Sequence, residues 1–269
     1  GASGRGGDAG AGRRGGDRAP GCFEMMCPCC VAAVRPAEFE DFATDAQMVA
    51  IRDLRAEIAA PYRGDSPEAR EVLVELWQAA HPAASAAASA RAAPGNVDVR
   101  WKELGFQGSA PETDVRGAGL FGMRMLCRLV QGDEAMAEAM RASSTRYPFA
   151  AVALNVSFVL VAHLRVRPAR FCPCCGSDIG NPEPHEYAMR GLASLLDRDR
   201  DAFFGVFATA MHVLDAEYDA ARRRDPSFGL LGFGSVLQAA RRRVMALLEE
   251  RPRSVLELKE RADSAIERS

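Results

Sequence analysis

The sequence predicts an all-α protein built around a single compact domain, and three observations lead to that class. Every long segment after residue 39 carries its apolar residues at helical spacing or all round, and none alternates as a strand does. Proline, glycine and capping residues separate these segments at intervals typical of helices. The chain has 269 residues, 48% of them hydrophobic, which is enough to bury one sizeable core. We therefore expect about eight helices between residues 39 and 250.

The beginning of the chain differs in composition from the rest. Residues 1–20 are mostly Gly, Ala, Arg and Asp with almost nothing to bury, which predicts disorder. We expect a disordered Gly/Arg-rich and Cys-rich tail over residues 1–38 and a helical domain over residues 39–262. A stretch rich in cysteine and proline, residues 165–184, predicts an inserted loop because proline disfavours a helix interior.

The first two helices have clear start signals. Thr44 and Gln47 have the spacing of a capping box, and apolar residues follow at helical intervals. Pro61 ends this segment. Ser66 followed by Pro67 then predicts the start of a second helix, with a cap residue and a proline in the first turn.

A long apolar segment predicts the centre of the fold. Residues 149–164 are apolar nearly all round, and they are too few to span a bilayer. We expect this helix to be buried, so its polar residues Asn155 and Ser157 need hydrogen-bond partners. His163 near its end is predicted to be a structural histidine. A short helix over 133–143 precedes it, with Met136 and Met140 pointing inward.

Three longer segments and a charged final helix follow. Helical spacing places them at 185–197, 199–223 and 235–250, and Ser254 caps the last helix. The basic runs 222–224 and 241–243 are expected to be solvated helix faces, although either could meet an acidic lipid.

Several functional classes find no support in the sequence. The net charge of −2 gives no reason to expect nucleic acid as a partner. No apolar run reaches the length of a membrane span. There is no G-x-x-x-x-G-K-[ST] phosphate loop and no G-x-S-x-G elbow, and none of the four histidines forms an i, i+4 pair.

The string C-P-x-C occurs twice, 145 positions apart, and suggests three interpretations. Four thiolates could hold a structural zinc ion, with Cys27, Cys30, Cys172 and Cys175 as ligands. The spacing departs from the usual four-cysteine pattern, so ordinary reduced thiols are an alternative. The cysteines near residue 27 could also be acylated and hold the protein at a membrane.

Residues 101–130 organise the chain. Trp101, Leu104 and Phe106 can anchor a loop in the core, and a Gly/Pro turn follows at 108–111. Arg116 then stands next to Gly117 at a loop-to-helix junction, where another backbone could approach closely. Helical spacing resumes from residue 120.

This stretch resembles a known family signature. The pattern W-x-x-x-G-F-Q at 101–107 is followed by P-x-T-D-x-R-G-x-G-L at 111–120. The block 147–150, YPFA, with Asn155, and the pairs 76–77 and 81–82, are similar to further blocks of the same family. Together they resemble the ELMO (engulfment and cell motility) domain from about residue 66 to about residue 248.

The resemblance implies an all-helical domain and, for the short members of the family, activation of GTP hydrolysis by Arf and Arf-like GTPases. The motif arginine, here Arg116, is the implied catalytic residue, acting in trans on a GTP-bound partner without a cofactor. We assign the other motif positions to shaping its loop: Trp101, Gly105, Phe106, Gln107, Pro111, Thr113, Asp114, Gly117 and Gly119. A cytoplasmic protein, with peripheral membrane contact in some settings, is expected.

Two alternatives stay open. On residue types alone, Arg116 could form a structural salt bridge with Asp114 or Glu112. The protein could also be a non-catalytic adaptor that binds a small GTPase or an exchange-factor complex. The basic runs 222–224 and 241–243 could meet a GTPase surface as well as an acidic lipid. The sequence does not specify which GTPase would be the substrate.

Overall fold

The computed structural model describes residues 37–81, 93–115, 117–167 and 185–268. All of them belong to one compact unit, residues 36–269. The candidate catalytic Arg116, the four candidate zinc ligands Cys27, Cys30, Cys172 and Cys175, and residues 1–36 of the predicted tail lie outside the described residues. The domain boundaries proposed from composition stay a prediction.

The described residues form α-helices and short 3-10 turns, with no strand among them, so the all-α class is confirmed. Eight of the nine described helices lie between residues 39 and 250, as the apolar spacing predicted. The helices are α1 (Asp45–Ala59), α2 (Pro67–Ala80), α3 (Gly119–Gly132), α4 (Glu134–Arg141), α5 (Phe149–His163), α6 (Glu186–Arg198), α7 (Ala202–Arg224), α8 (Phe233–Glu249) and α9 (Val255–Glu267).

The helix starts follow the capping chemistry of the sequence. Thr44 and Gln47 form both bonds of the capping box, at 3.0 and 3.3 Å. Ser66 Oγ accepts from the Ala69 amide at 3.2 Å, with Pro67 in the first turn. Each cap satisfies a backbone N–H that has no partner within the helix, so the sequence-based starts of α1 and α2 are confirmed.

Helix α5 is central, as predicted. All of its 15 residues except Asn155 and Phe158 are buried. It packs against α3, α4, α7 and α8. A helix that is apolar on nearly every side is stable in water only when neighbours cover most of its surface, and these four helices do so except around Asn155 and Phe158.

The expected hydrogen bonds of the two polar residues of α5 are not found. Asn155 is exposed, so it does not need a protein partner. Ser157 is fully buried, yet its hydroxyl has no hydrogen-bond partner among the described residues. Both expectations were wrong because they assumed that the whole circumference of the helix is covered and that each polar group is satisfied.

His163 at the end of α5 is buried, with its Nδ1 3.2 Å from the guanidinium of Arg241. Burial, and next the charge of Arg241, lowers the pKa of His163 to about 4. The ring is therefore neutral near pH 7, in keeping with a structural role.

The C-terminal helices form a second packed group. Helix α7 packs along α8, and α8 also contacts α6. Helix α9 docks on α7 and buries Leu258 and Ala262. No helix among the described residues is long and apolar enough to cross a membrane.

Candidate functional site

The signature residues form one loop, residues 105–119, which we call the motif loop. It begins after the 3-10 turn Val99–Leu104, where Trp101 is fully buried. The indole N–H of Trp101 donates to the Gly95 carbonyl at 2.7 Å, and its ring makes edge contacts with Trp77 and Phe106. A buried indole needs a polar partner for its N–H, and this bond fixes the ring beneath the loop.

Gly105 joins the motif loop to the start of α5. Its φ of 84° lies in the left-handed region, and a Cβ there would come 2.2 Å from the backbone nitrogen of Phe149. Its carbonyl accepts the Ala151 amide at 3.1 Å. Only glycine fits such an approach, so this position is constrained by both conformation and space.

A bond across the loop closes it. The backbone N–H of Gln107 donates to Asp114 Oδ2 at 2.6 Å, and Thr113 Oγ1 donates to the Ala110 carbonyl at 2.8 Å. Pro111 between them is buried at the start of a second 3-10 turn, Pro111–Thr113. Four signature positions thus hold the loop's shape through one carboxylate, one hydroxyl, one ring and one backbone amide.

The chain is fixed on both sides of position 116. Val115 is buried, and its carbonyl accepts the amides of Ala118 and Gly119 at 2.8 and 2.9 Å. A Cβ on Gly117 would lie 2.7 Å from the ring of Phe158 on α5. Gly119 has a φ of 61° and packs close to the Ala60 carbonyl. The two glycines therefore permit close contact with α5 and with the end of α1, which sets the path of the loop.

The exposed side chains within the described part of the motif loop itself are polar. Gln107 and Thr113 are exposed, and Asn155 is exposed on α5 one turn before Phe158, the residue that touches Gly117. Gln107 contributes to the loop through its backbone, so its side chain is not needed for the bracing seen here. The sequence marked Asn155 as part of a family block but not as a site residue, and its exposure within a buried helix was the missing signal.

The loop also contacts the connection between α1 and α2. The Glu112 carboxylate lies against Gly64, where a Cβ would come 2.4 Å from Oε2. Burial, and next the charge of Glu112, raises the pKa of Tyr62 to about 12. Glu112 thus places a carboxyl group three residues before Val115 and close to a phenol that stays neutral near pH 7.

No metal centre is found in the described part of the chain, where no group of three or more His, Cys, Asp or Glu side chains could hold an ion. The zinc site predicted at Cys27, Cys30, Cys172 and Cys175 stays a prediction, because all four lie outside that part. Cys127 is buried, with its sulfur 3.8 Å from Glu75 Oε2. Burial, and then Glu75, raises the pKa of this thiol to about 12, which makes it unreactive near pH 7.

The fold and the loop together define a helical domain with one braced polar loop carrying W-x-x-x-G-F-Q and P-x-T-D-x-R-G. The model of the ELMO/CED-12 family matches residues 52–229, and the chain belongs to this family. The match begins earlier and ends earlier than the range of about 66–248 inferred from the motifs.

Relatives with the same domain have been described in animals and amoebae. The chain is 32% identical to mouse ELMO domain-containing protein 1 over 36% of its own length. It is 34% identical to ELMO domain-containing protein B of Dictyostelium discoideum over 40%, and 27% identical to human ELMO domain-containing protein 2 over 41%. The matches span only 29%, 36% and 37% of those three proteins. No solved structure matches the chain.

Proposed function

We propose that this protein activates GTP hydrolysis by an Arf or Arf-like small GTPase, with Arg116 supplied to the nucleotide as an arginine finger. Family membership supports interaction with a small GTPase in general terms. The finer assignment rests on the retained arginine in P-x-T-D-x-R-G and on the loop that carries it.

Beyond the Arg116 side chain, the proposed mechanism needs no catalytic group from this chain. During GTP hydrolysis negative charge develops on the phosphoryl oxygens, and a guanidinium is permanently charged with several donors in one plane. Such a finger raises the hydrolysis rate by roughly 10³–10⁵. The GTPase itself supplies the phosphate loop and the magnesium site, which is consistent with the absence of a phosphate-loop sequence here.

The bracing of the motif loop carries the proposal. Asp114 is bonded to the Gln107 amide, Val115 is buried, and Gly117 packs on Phe158. The backbone is therefore held on both sides of Arg116, two residues before it and one after. Ordering a flexible loop on binding costs free energy and so reduces the rate enhancement that an arginine finger gives. A pre-formed loop avoids most of this cost and therefore suits the role.

Single-turnover hydrolysis by a panel of GTP-loaded Arf-family GTPases tests the proposal. We expect the wild-type protein to accelerate at least one of them. Arg116→Lys keeps the charge but loses the planar fork, so hydrolysis should fall by roughly 10²-fold or more. Arg116→Ala should fall further, with the free energy of unfolding within about 1 kcal/mol of wild type. Arg124→Ala, an exposed position on α3 just after the loop, is the matched control and should keep full activity.

Two outcomes would contradict the proposal. If the Arg116 variants lose activity only because they unfold, Arg116 is a structural residue, as a salt bridge to Asp114 or Glu112 would make it. If the protein binds GTP-loaded GTPase but never accelerates hydrolysis, it is an adaptor. A pull-down with each nucleotide state, run beside the kinetics, distinguishes the adaptor from a protein that was offered the wrong GTPase.

A further inference from the structure

Two leucines between α7 and α8 are more exposed than leucine normally is in a folded domain. Leu230 keeps 62% of its accessible surface and Leu231 keeps 107%, so Leu231 packs against none of the described residues. They lie in a 3-10 turn, Leu230–Gly232, which connects α7 to α8. We call residues 228–233 the tip. Adjacent apolar side chains that are fully solvated cost free energy unless a partner covers them.

The tip is held in this form by its two ends. Phe228 and Phe233 turn inward, and both rings contact Tyr218 at centroid distances of 6.1 Å. Phe233 also packs on Tyr147 at 5.4 Å. A Cβ on Gly232 would lie 2.5 Å from the Phe228 ring, so the two ends of the tip touch each other. The leucines therefore project from an anchored turn, and the aromatic residues on either side are partly buried against the core.

Three consecutive arginines end the helix that leads into the tip, and one of them contacts the tip directly. Arg222, Arg223 and Arg224 are all exposed at the end of α7, and Arg222 donates to the Phe228 carbonyl at 3.0 Å. Asp225 is the acidic residue next to them, and its carboxylate accepts from the backbone and hydroxyl of Ser227. Three arginines against one aspartate leave the segment 222–233 positively charged.

The nearby acids of α7 do not cancel this charge. Asp215 and Asp219 both pair with Arg146, at 2.8 and 2.7 Å. Glu217 pairs with Arg243 at 2.8 Å. These three acids thus share two arginines, and with the collar 222–224 and Asp225 included, five arginines face four acids, so the region keeps a net positive charge.

We propose that the tip is a membrane-docking element that inserts Leu230 and Leu231 into the interface of an anionic bilayer while Arg222, Arg223 and Arg224 contact its headgroups. Apolar side chains that enter the interface, combined with adjacent basic residues, are the two signals that together give peripheral proteins stable membrane contact. A protein partner for the leucines alone would not require the basic collar. Leu230 and Leu231 lie just beyond residues 52–229, which match the family model, whereas the three arginines lie within that range.

Vesicle sedimentation with the full chain tests the proposal. We expect binding to phosphatidylcholine vesicles that contain phosphatidylserine and little binding to phosphatidylcholine alone. The double variant Leu230→Ser with Leu231→Ser should weaken binding by about tenfold or more, and Arg223→Gln by about threefold to fivefold. Leu256→Ser, at a leucine on α9 with 65% exposure, and Arg52→Gln, at an exposed arginine on α1, are the matched controls and should bind as wild type.

A tryptophan at the tip reports insertion directly. Both native tryptophans, Trp77 and Trp101, are buried, so their fluorescence should not respond to lipid. In Leu231→Trp we expect the emission to shift to the blue on addition of anionic vesicles and to be quenched by brominated lipid.

Several results would overturn the proposal. Equal binding to neutral and anionic vesicles, or equal losses in the control variants, would place the contact elsewhere. A blue-shifted emission of Leu231→Trp without lipid would show that the tip is covered by the chain itself or by a second copy, and a change in oligomeric state on dilution would identify the latter.

Discussion

The motif loop and the tip are both anchored by aromatic residues that pack on the core, yet they expose opposite chemistry. Trp101 lies beneath the motif loop and contacts the loop residue Phe106, and both are buried. Phe228 and Phe233, which are partly buried, hold the ends of the tip. The motif loop then closes through polar bonds and exposes Gln107 and Thr113, whereas the tip exposes Leu230 and Leu231. Aromatic anchoring thus fixes where a loop leaves the core, and the residues between the anchors determine which partner it can meet.

The largest expected difference between the motif loop and the tip is the loss of stability when a glycine is replaced by alanine. Gly105→Ala requires a left-handed backbone and places a Cβ 2.2 Å from a backbone nitrogen that cannot move alone. We expect a loss of more than about 3 kcal/mol in the free energy of unfolding. Gly232→Ala has an ordinary φ of −84°, and its Cβ meets only the ring of Phe228, so about 1 kcal/mol is expected. Urea denaturation of both variants measures this, and equal losses would show that the motif loop is no more constrained than the tip.

The carboxylate that closes the motif loop should matter for activity more than for stability. Asp114→Ala removes the acceptor of the Gln107 amide, an exposed bond, so a stability loss of about 1 kcal/mol is expected. Displacement of the loop by about 1 Å would lower the rate of activated GTP hydrolysis by roughly 10²-fold.

Asp114→Asn is the matched control because its amide oxygen can still accept that bond, and it should retain most of the activity. If both variants lose activity equally, the charge of Asp114, and not the closure of the loop, is what the reaction needs.

Asn155 should show a smaller effect confined to function. Its side chain is exposed beside the motif loop, and a contact with a bound GTPase would give about a tenfold loss of activation in Asn155→Ala, with no change in melting temperature. A tip variant such as Leu231→Ser should leave this solution assay unchanged. Loss of activity in the tip variant, without lipid, would mean that the two loops do not serve separate partners.

The smallest effect, of opposite sign, is expected at Ser157, which is buried in α5. Ser157→Ala removes a buried hydroxyl that has no partner among the described residues, so the protein should be stabilised by up to about 1 kcal/mol. Thermal melting measures this shift. A destabilised variant would reveal a hydrogen bond that the described residues do not contain.

The helices were predictable because each long segment repeats its apolar residues at one period or covers all sides, and their starts carry side-chain caps such as Thr44 and Ser66. The residues that form and support the motif loop were equally predictable, because Trp101, Gly105 and Asp114 stand at the spacing of the family signature. The hydrogen bond between Asp114 and the Gln107 amide could not be predicted from the sequence, because it joins a side chain to a backbone group that any non-proline residue would supply.

The exposure of Asn155 and of the leucines in the tip could not be predicted from the sequence, and the reason is physical. Helix α5 is apolar all round, so periodicity gives it no polar face, and the opening at Asn155 is created by the path of neighbouring elements. The segment 228–233, FGLLGF, is uniformly apolar, and only its three-dimensional path separates the partly buried phenylalanines from the exposed leucines. Neither distinction is encoded in the spacing of apolar residues.

The contact of Gly105 with α5 has a consequence for how the protein folds. Helix α5 has no side-chain cap at Pro148, and two of its first free amides are satisfied from outside: Ala151 by the Gly105 carbonyl and Phe149 by Ser143 Oγ. The first turn of the central helix is therefore completed by a residue of the motif loop that lies more than forty positions earlier in the chain. In native-state hydrogen exchange, the Ala151 amide should exchange only when the motif loop detaches from α5. The protection of this single amide therefore reports whether the motif loop is assembled.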